Sequence, residues 1–287
     1  NNKMKALIFP GQGSQSVGMG NELYKKFDLV KKIFKEADAK LNYSISKIIL
    51  DGPESDLKLT KNTQPAILTI SYSIFKLITQ EFKINLKKDF TFYAGHSLGE
   101  YSALVCSNAL EFHDALFLLY QRGKAMQSAV PVGRGSMLAV LGSKIENIEN
   151  EIKNLKLDSD VCEIANDNAD GQVIVSGERE AVKSFQEHLK EKNIKFIPLK
   201  VSAPFHCSLM KSAADKMEKK INPVIFKVPS LEIISNVTAS PENDPNKIKK
   251  LLVDQIYPKV SNGALIRGES VEDARLSSYW NRVTAAS

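Results

Sequence analysis

Phe90-Thr91-Phe92-Tyr93-Ala94-Gly95-His96-Ser97-Leu98-Gly99-Glu100-Tyr101-Ser102-Ala103-Leu104-Val105 runs from an apolar stretch, through a G-x-S-x-G pentapeptide, into a segment with an apolar helical face. Strand, sharp turn and helix, in that order, are the setting of a nucleophile elbow. Gly95 and Gly99 flank Ser97 at minus two and plus two. A turn this tight brings backbone so close that a Cβ at either position would clash, and glycine removes it. The Ser97 hydroxyl then projects from the turn. The N–H of Leu98 falls at a helix N-terminus, where unpaired donors hold a developing oxyanion. Pentapeptides of this kind also arise by chance, so the strand before it and the helix after it carry the reading.

The chain has 287 residues, 43% hydrophobic and 25% charged, ordinary values for a soluble globular protein and long enough for one large domain or two smaller ones. Its three cysteines, Cys106, Cys162 and Cys207, are too few and too scattered for a disulfide framework or a zinc site. Reduced thiols, a cytoplasmic setting, no metal and no bound cofactor are expected. Near the N-terminus Lys3 and Lys5 lead into Ala6-Leu7-Ile8-Phe9, a short strand-like run and not the apolar region of a signal peptide. The longest apolar stretch, residues 65–78, is interrupted by Lys76 and is too short to cross a bilayer, so no membrane association is expected. Net charge is +6, but the lysines are spread through Lys/Glu-mixed segments such as 146–156 and 187–192. Without a basic block interleaved with aromatics, nucleic acid is not an expected partner.

Outward from the elbow, elements alternate. Strands are predicted over 5–9 and 90–94, and helices over 21–27, 30–41, 54–59, 64–82 and 112–127. This alternation predicts an α/β fold with a mostly parallel central sheet. After Pro131-Val132-Gly133-Arg134-Gly135 the pattern changes. A strand over 136–141, a helix over 144–155, strands over 161–165 and 172–176 about a turn at 166–171, a helix over 180–192 and a strand over 195–201 spell β-α-β-β-α-β, the ferredoxin-like unit. Residues 130–200 are therefore expected to form a small inserted domain, with 1–129 and 201–287 forming the large one. A loop at 201–206, a helix from about 209, a strand over 230–236 and a helix over 247–256 complete the reading. Residues from about 262 are polar and carry no assignment.

Ser97 needs a base, because a serine alkoxide does not exist free at neutral pH. There are four histidines. His96 lies inside the elbow and its side chain points away from that of Ser97. His113 starts a helix as a surface or capping residue, and His188 lies solvated in a Lys/Glu-rich helix. His206 lies in the loop Ser202-Ala203-Pro204-Phe205-His206-Cys207 after a predicted strand, where catalytic groups of α/β sheets gather. Elimination favours His206, against the alternative of a satisfied loop histidine. No Asp or Glu stands out to orient it, and a carbonyl accepting from Nδ1–H would do the same. Gly11-Gln12-Gly13-Ser14-Gln15 ends the first strand and lacks the G-K-[ST] of a phosphate loop. It is either a plain Gly-rich turn or the source of a second oxyanion donor, the Gln12 N–H. Arg122 lies in the apolar helix Leu116-Phe117-Leu118-Leu119-Tyr120-Gln121-Arg122-Gly123. An exposed helix arginine and a buried one needing a carboxylate partner are both open.

Taken together these pieces resemble the malonyl-CoA:acyl carrier protein transacylases of fatty acid synthesis. The motifs are Phe9-Pro10-Gly11-Gln12-Gly13-Ser14-Gln15, Thr63-Gln64-Pro65-Ala66, the elbow through Leu104, Gln121-Arg122-Gly123 and the His206 loop, over residues 4–260 or so. The resemblance implies a hydrolase-like large α/β domain with an inserted ferredoxin-like domain. It implies Ser97 as nucleophile, His206 as base, the Gln12 and Leu98 N–H groups as oxyanion hole, and Arg122 as partner of the malonyl carboxylate. It implies the main-chain carbonyl of Gln255 as the acceptor for the histidine. Malonyl-CoA is the implied substrate and acyl carrier protein, an acidic partner suited to a basic chain, the implied acceptor; a monomer is expected. Phe205 resembles the bulky residue that excludes a methyl branch in malonyl-selective relatives.

The chain departs from the family's pattern after Val260, where Ser261-Asn262-Gly263-Ala264-Leu265-Ile266-Arg267 replaces the expected closing segment and no Gly-rich stretch follows. The tail from about 261 is expected to be atypical or truncated, and position 1 is not Met, which fits a fragment. Three rivals remain beside the transacylase reading: a serine hydrolase or thioesterase using the same elbow, an acyltransferase domain of a polyketide synthase, and an inactive module that binds carrier protein.

Overall fold

The computed structural model describes residues 4–157, 160–169, 171–201 and 203–257. In chain order the elements of the first part are β1 (Ala6–Phe9), α1 (Asn21–Lys26), α2 (Asp28–Leu41), α3 (Ile45–Asp51), α4 (Glu54–Leu57), α5 (Thr60–Lys76), β2 (Phe92–Gly95), α6 (Gly99–Cys106) and α7 (Phe112–Ser128). Then come β3 (Gly135–Leu141), α8 (Ile145–Asn154), β4 (Cys162–Ala169), β5 (Gln172–Glu178), α9 (Arg179–Glu191), β6 (Lys195–Pro198), α10 (Lys211–Ile221), β7 (Glu232–Ile234), β8 (Pro241–Glu242) and α11 (Pro245–Asp254). Residues up to Lys124, with Lys219–Asn236 and Ser240–Leu251, form one compact unit; Ala125–Glu218, Val237–Ala239 and the described residues from Leu252 form another.

The first unit is built on a sheet of order β1-β2-β7-β8. β1, β2 and β7 run parallel, and β8 closes the edge antiparallel. All four residues of β2, Phe92-Tyr93-Ala94-Gly95, are buried, as expected of a central parallel strand covered on both faces. The rings of Phe9, Phe75 and Tyr93 meet at centroid separations of 5.8–6.4 Å. Helix α6 packs against β1, β2 and β7, and all eight of its residues are buried. The register pairs Phe9 with Gly95, so the loops leaving β1 and β2 emerge at one edge of the sheet, the carboxyl edge where ligands of parallel sheets bind.

The second unit holds an antiparallel sheet of order β4-β5-β3-β6. With α8 and α9 as crossovers this is the strand order of the ferredoxin-like unit. Helix α9 buries Ala181, Val182, Phe185 and Leu189, spaced three and four apart, into a core with Val140 and Val175.

Several boundaries differ from the sequence reading. The turn expected at 166–171 is mostly strand: β4 continues through Asn166-Asp167-Asn168, pairing with β5 across two register shifts. Irregularities of this kind let polar turn-formers stay in a ladder. Of that expected turn, Asp170 lies outside the described residues, as do Ser202 and the tail from 258. Helix α5 starts at Thr60 and not at 64, because Pro65 reads as a helix start but sits inside the helix. Its end near 82 is a π-helical turn, Leu77–Glu81. β7 covers only Glu232–Ile234 of the expected 230–236, and β6 stops at Pro198. α3 and β8 were not predicted, being too short to show a period.

Candidate active site

Ser97 sits between β2 and α6 with φ 53°, a left-handed conformation that costs a non-glycine residue about 1–3 kcal/mol. The flanking glycines are required by contact. A Cβ on Gly95 would overlap the Gly99 carbonyl, and one on Gly99 would press on the carbonyl oxygens of Phe9 and Pro10, the latter at 2.8 Å. The turn is closed by Gly99 N–H donating to His96 O (2.9 Å) and Glu100 N–H to Ser97 O (3.1 Å). Asn236, two residues past β7, fastens it from outside. Its Oδ1 accepts from Ser97 N–H at 2.7 Å and its Nδ2 donates to Gly95 O at 2.6 Å. Sequence reasoning missed Asn236, and its position just after a strand at the carboxyl edge was the available signal.

Arg122 is only 1% exposed. Its Nη2 donates to Ser97 Oγ at 2.9 Å, its Nη1 donates to Gln64 Oε1 at 2.8 Å, and its guanidinium lies 5.6 Å from the Tyr101 ring centroid. The open choice between an exposed and a buried arginine is thus decided for burial. Burial pushes the guanidinium below its ordinary value, with Tyr101 and Glu100 opposing, and an arginine keeps its proton all the same. Glu100, also buried, is pushed up to about 8 by desolvation; the Asn236 main-chain N–H and Arg122 pull it back, and Glu242 adds to the rise. Gln64 comes from the Thr63-Gln64-Pro65-Ala66 motif, where sequence gave it no role. It reaches Arg122 because α7 approaches the start of α5 very closely at Gly123, where a Cβ would lie 2.5 Å from Lys61 Cα and from Thr60 O.

The turn after β1 rests on the elbow: a Cβ on Gly11 would lie 2.5 Å from His96 O and 2.8 Å from His96 Nδ1. Gln12 follows and is exposed. Among the described residues, neither the Gln12 nor the Leu98 N–H makes a hydrogen bond. Both donors are available to a ligand oxygen.

In the second unit, His206 has φ 56° and its Nδ1 lies 2.8 Å from the main-chain oxygen of Gln255. A carbonyl only accepts, so the neutral ring carries its proton on Nδ1 and Nε2 is the unprotonated nitrogen. The loop is pinned on both sides. Glu163 of β4 accepts from Ser208 N–H (2.8 Å) and Ser208 Oγ (2.5 Å), and a Cβ on Gly135 would run into the Pro204 ring. Phe205, beside the histidine, is buried.

The other histidines are occupied otherwise. His113 is half exposed near Glu36 at 3.8 Å. His188 is not the solvated side chain expected of it: it is largely buried and 2.5 Å from Glu151 of α8. Among the described residues no group of His, Cys, Asp and Glu is arranged to hold a metal, and no helix is long and apolar enough to cross a membrane.

A family model described as acyl transferase domain matches residues 6–261. The malonyl CoA-acyl carrier protein transacylase of Bacillus subtilis is 41% identical over 256 residues, 89% of this chain and 79% of that one. Among solved structures, the malonyl CoA-acyl carrier protein transacylase of Coxiella burnetii superposes with a TM-score of 0.84 at 37% identity, over 89% of this chain and 80% of that one. A malonyl-transacylase solved in complex with its type II polyketide acyl-carrier protein gives 0.84 at 39% identity, over 89% and 81%.

Proposed function

This chain belongs to the acyl transferase domain family and is a malonyltransferase acting on acyl carrier protein; we propose that the transfer runs through a malonyl ester on Ser97 with His206 as the base. His206 Nε2 takes the Ser97 proton as Oγ attacks the thioester carbonyl of malonyl-CoA. The oxyanion is held by the N–H groups of Gln12 and Leu98. Coenzyme A leaves as a thiol, protonated by His206. The phosphopantetheine thiol of the carrier protein then attacks the ester, His206 again removing the proton and returning it to Ser97 Oγ as the ester Oγ–C bond breaks, so that the two half-reactions alternate in ping-pong fashion. Gln255 needs only its carbonyl to keep the imidazole in the working tautomer, and a carboxylate is not required.

The observation that carries this reading is the buried Arg122 guanidinium 2.9 Å from Ser97 Oγ. A cation placed there binds an acyl group that ends in a carboxylate, and it places the carbonyl of that group at the nucleophile. The malonyl carboxylate takes over the Nη2 hydrogen bond that Ser97 Oγ accepts here, which releases the hydroxyl for attack. An acetyl group offers the guanidinium no carboxylate. Buried Phe205 supports exclusion of a methyl-branched substrate. The inserted domain is proposed at residues 130–200, supported by the position of β3 to β6, and the large domain at 1–129 and 201–287. A cytoplasmic monomer with an acidic carrier protein partner fits the net charge of +6 and three unpaired buried cysteines.

Mass spectrometry of the protein after mixing with malonyl-CoA tests the chemistry. A malonyl adduct is expected on Ser97, absent in Ser97→Ala and strongly reduced in Arg122→Ala. An adduct elsewhere, or ester hydrolysis unchanged in Arg122→Ala, would overturn it in favour of a hydrolase.

A further inference from the structure

We infer that Asn236 is the positioning residue of the nucleophile: its side-chain amide holds Ser97 in the left-handed conformation that presents Oγ. This rests on Ser97 being the nucleophile. Ser97 has φ 53°, a conformation that a serine adopts only under external constraint. The amide supplies that constraint at two points of the turn. It accepts from Ser97 N–H at 2.7 Å and donates to Gly95 O at 2.6 Å, bracketing the peptide units on either side of His96. One group with a donor and an acceptor a fixed distance apart sets the separation of those two backbone atoms, and with it the twist of the turn.

The clamp is itself anchored. The main-chain N–H of Asn236 donates to the carboxyl of Glu100, which is 2% exposed and stands one turn into α6 from the nucleophile. Asn236 thus ties together the end of β2, the elbow and the first turn of α6, although it lies 139 residues from Ser97 in sequence. It touches neither Oγ nor, in the reaction above, any atom of the substrate. Its effect is expected on the rate of acylation and not on the binding of malonyl-CoA, which Arg122 governs.

Asn236→Ala and Asn236→Asp separate positioning from mere support of the fold. The rate of Ser97 malonylation is measured in single turnover and normalised to the folded fraction from circular dichroism. For Asn236→Ala a fall of about 100-fold in the acylation rate is expected, with the malonyl-CoA concentration at half-saturation changed less than threefold. In Asn236→Asp the ionised carboxylate still accepts from Ser97 N–H but repels Gly95 O. The protonated carboxyl both accepts and donates, as the amide does. The titratable group next to this position is Glu100 of α6, which accepts from the residue-236 main-chain N–H and is itself acted on by Arg122 of α7 and Glu242 of β8. The activity of Asn236→Asp relative to wild type is therefore expected to rise as pH falls, approaching tenfold per unit, while the ratio for Asn236→Ala stays flat; dividing by wild type removes the pH dependence that the proteins share. Wild-type acylation rates in folded Asn236→Ala, a flat ratio for Asn236→Asp, or failure of both variants to fold would each overturn the assignment. If wild type itself acquires no adduct on Ser97, it is the nucleophile assignment that fails.

Discussion

Arg122 sets a buried guanidinium against the side chains of Gln64 and Ser97, and under the proposed function this placement selects an acyl group that ends in a carboxylate. A carboxylate entering the site meets a desolvated cation already oriented by Gln64. Arg122→Lys keeps the charge but loses the planar fork that reaches Gln64 with one nitrogen and the reacting centre with the other. We expect kcat/KM for malonyl-CoA to fall about 100-fold in Arg122→Lys, mostly through KM, measured with the carrier protein in excess. Glu100 gives a prediction in pH. Its carboxyl, held up at about 8 against an ordinary 4.5, binds a proton more tightly in the folded chain than in the unfolded one. Its contribution is fully present below about pH 4.5 and is lost as pH rises through about 8. Urea melts of wild type and Glu100→Gln across pH 5 to 9 are expected to show wild type losing on the order of a few kcal/mol relative to the variant. At this scale the sequence made Ser97 and its glycines legible, because the sterics of a tight turn act between neighbours. Burial of Arg122 was not legible, since the apolar residues around it on α7 are equally consistent with a helix arginine facing water.

Between elements, the close approach of α7 to α5 at Gly123 decides where the guanidinium lies. Gly123→Ala forces the helices apart at Lys61 and Thr60, at a cost of about 1–3 kcal/mol for overpacking. It is expected to raise KM for malonyl-CoA more than it lowers kcat, by moving Arg122 away from Gln64, as steady-state kinetics and a thermal melt would show. In the second unit, Phe185 of α9 is completely buried against the antiparallel sheet, and Phe185→Ala is expected to cost about 3–5 kcal/mol by urea denaturation. The helical period of α9 was plain in the sequence because one face is apolar and the other Lys/Glu-rich. The β4–β5 hairpin was not, since Asn166-Asp167-Asn168 has turn composition and only pairing with β5 keeps it extended. Glu163 illustrates the same limit: nothing in its neighbourhood announces that it holds Ser208 beside the His206 loop.

At the scale of the whole molecule, the proposed docking of an acidic carrier protein on a chain of net charge +6 predicts that the proposed second half-reaction is the one that responds to salt. Raising ionic strength from 50 to 500 mM is expected to increase KM for the carrier protein severalfold while leaving transfer to free pantetheine nearly unchanged, a comparison that steady-state assays make directly. By itself the sequence determined the alternation that builds the parallel sheet, the β-α-β-β-α-β order of the small sheet, and the elbow with its two glycines. Each of these follows from periodicity or from contacts between residues a few positions apart. The tertiary structure alone decided that Arg122 is buried on Gln64, that Asn236 clamps the elbow, and what distance separates His206 from the Gln255 carbonyl. Those contacts span 58, 139 and 49 residues. Hydrogen bonds of that span are set by how the elements pack, and no local pattern in the chain encodes them.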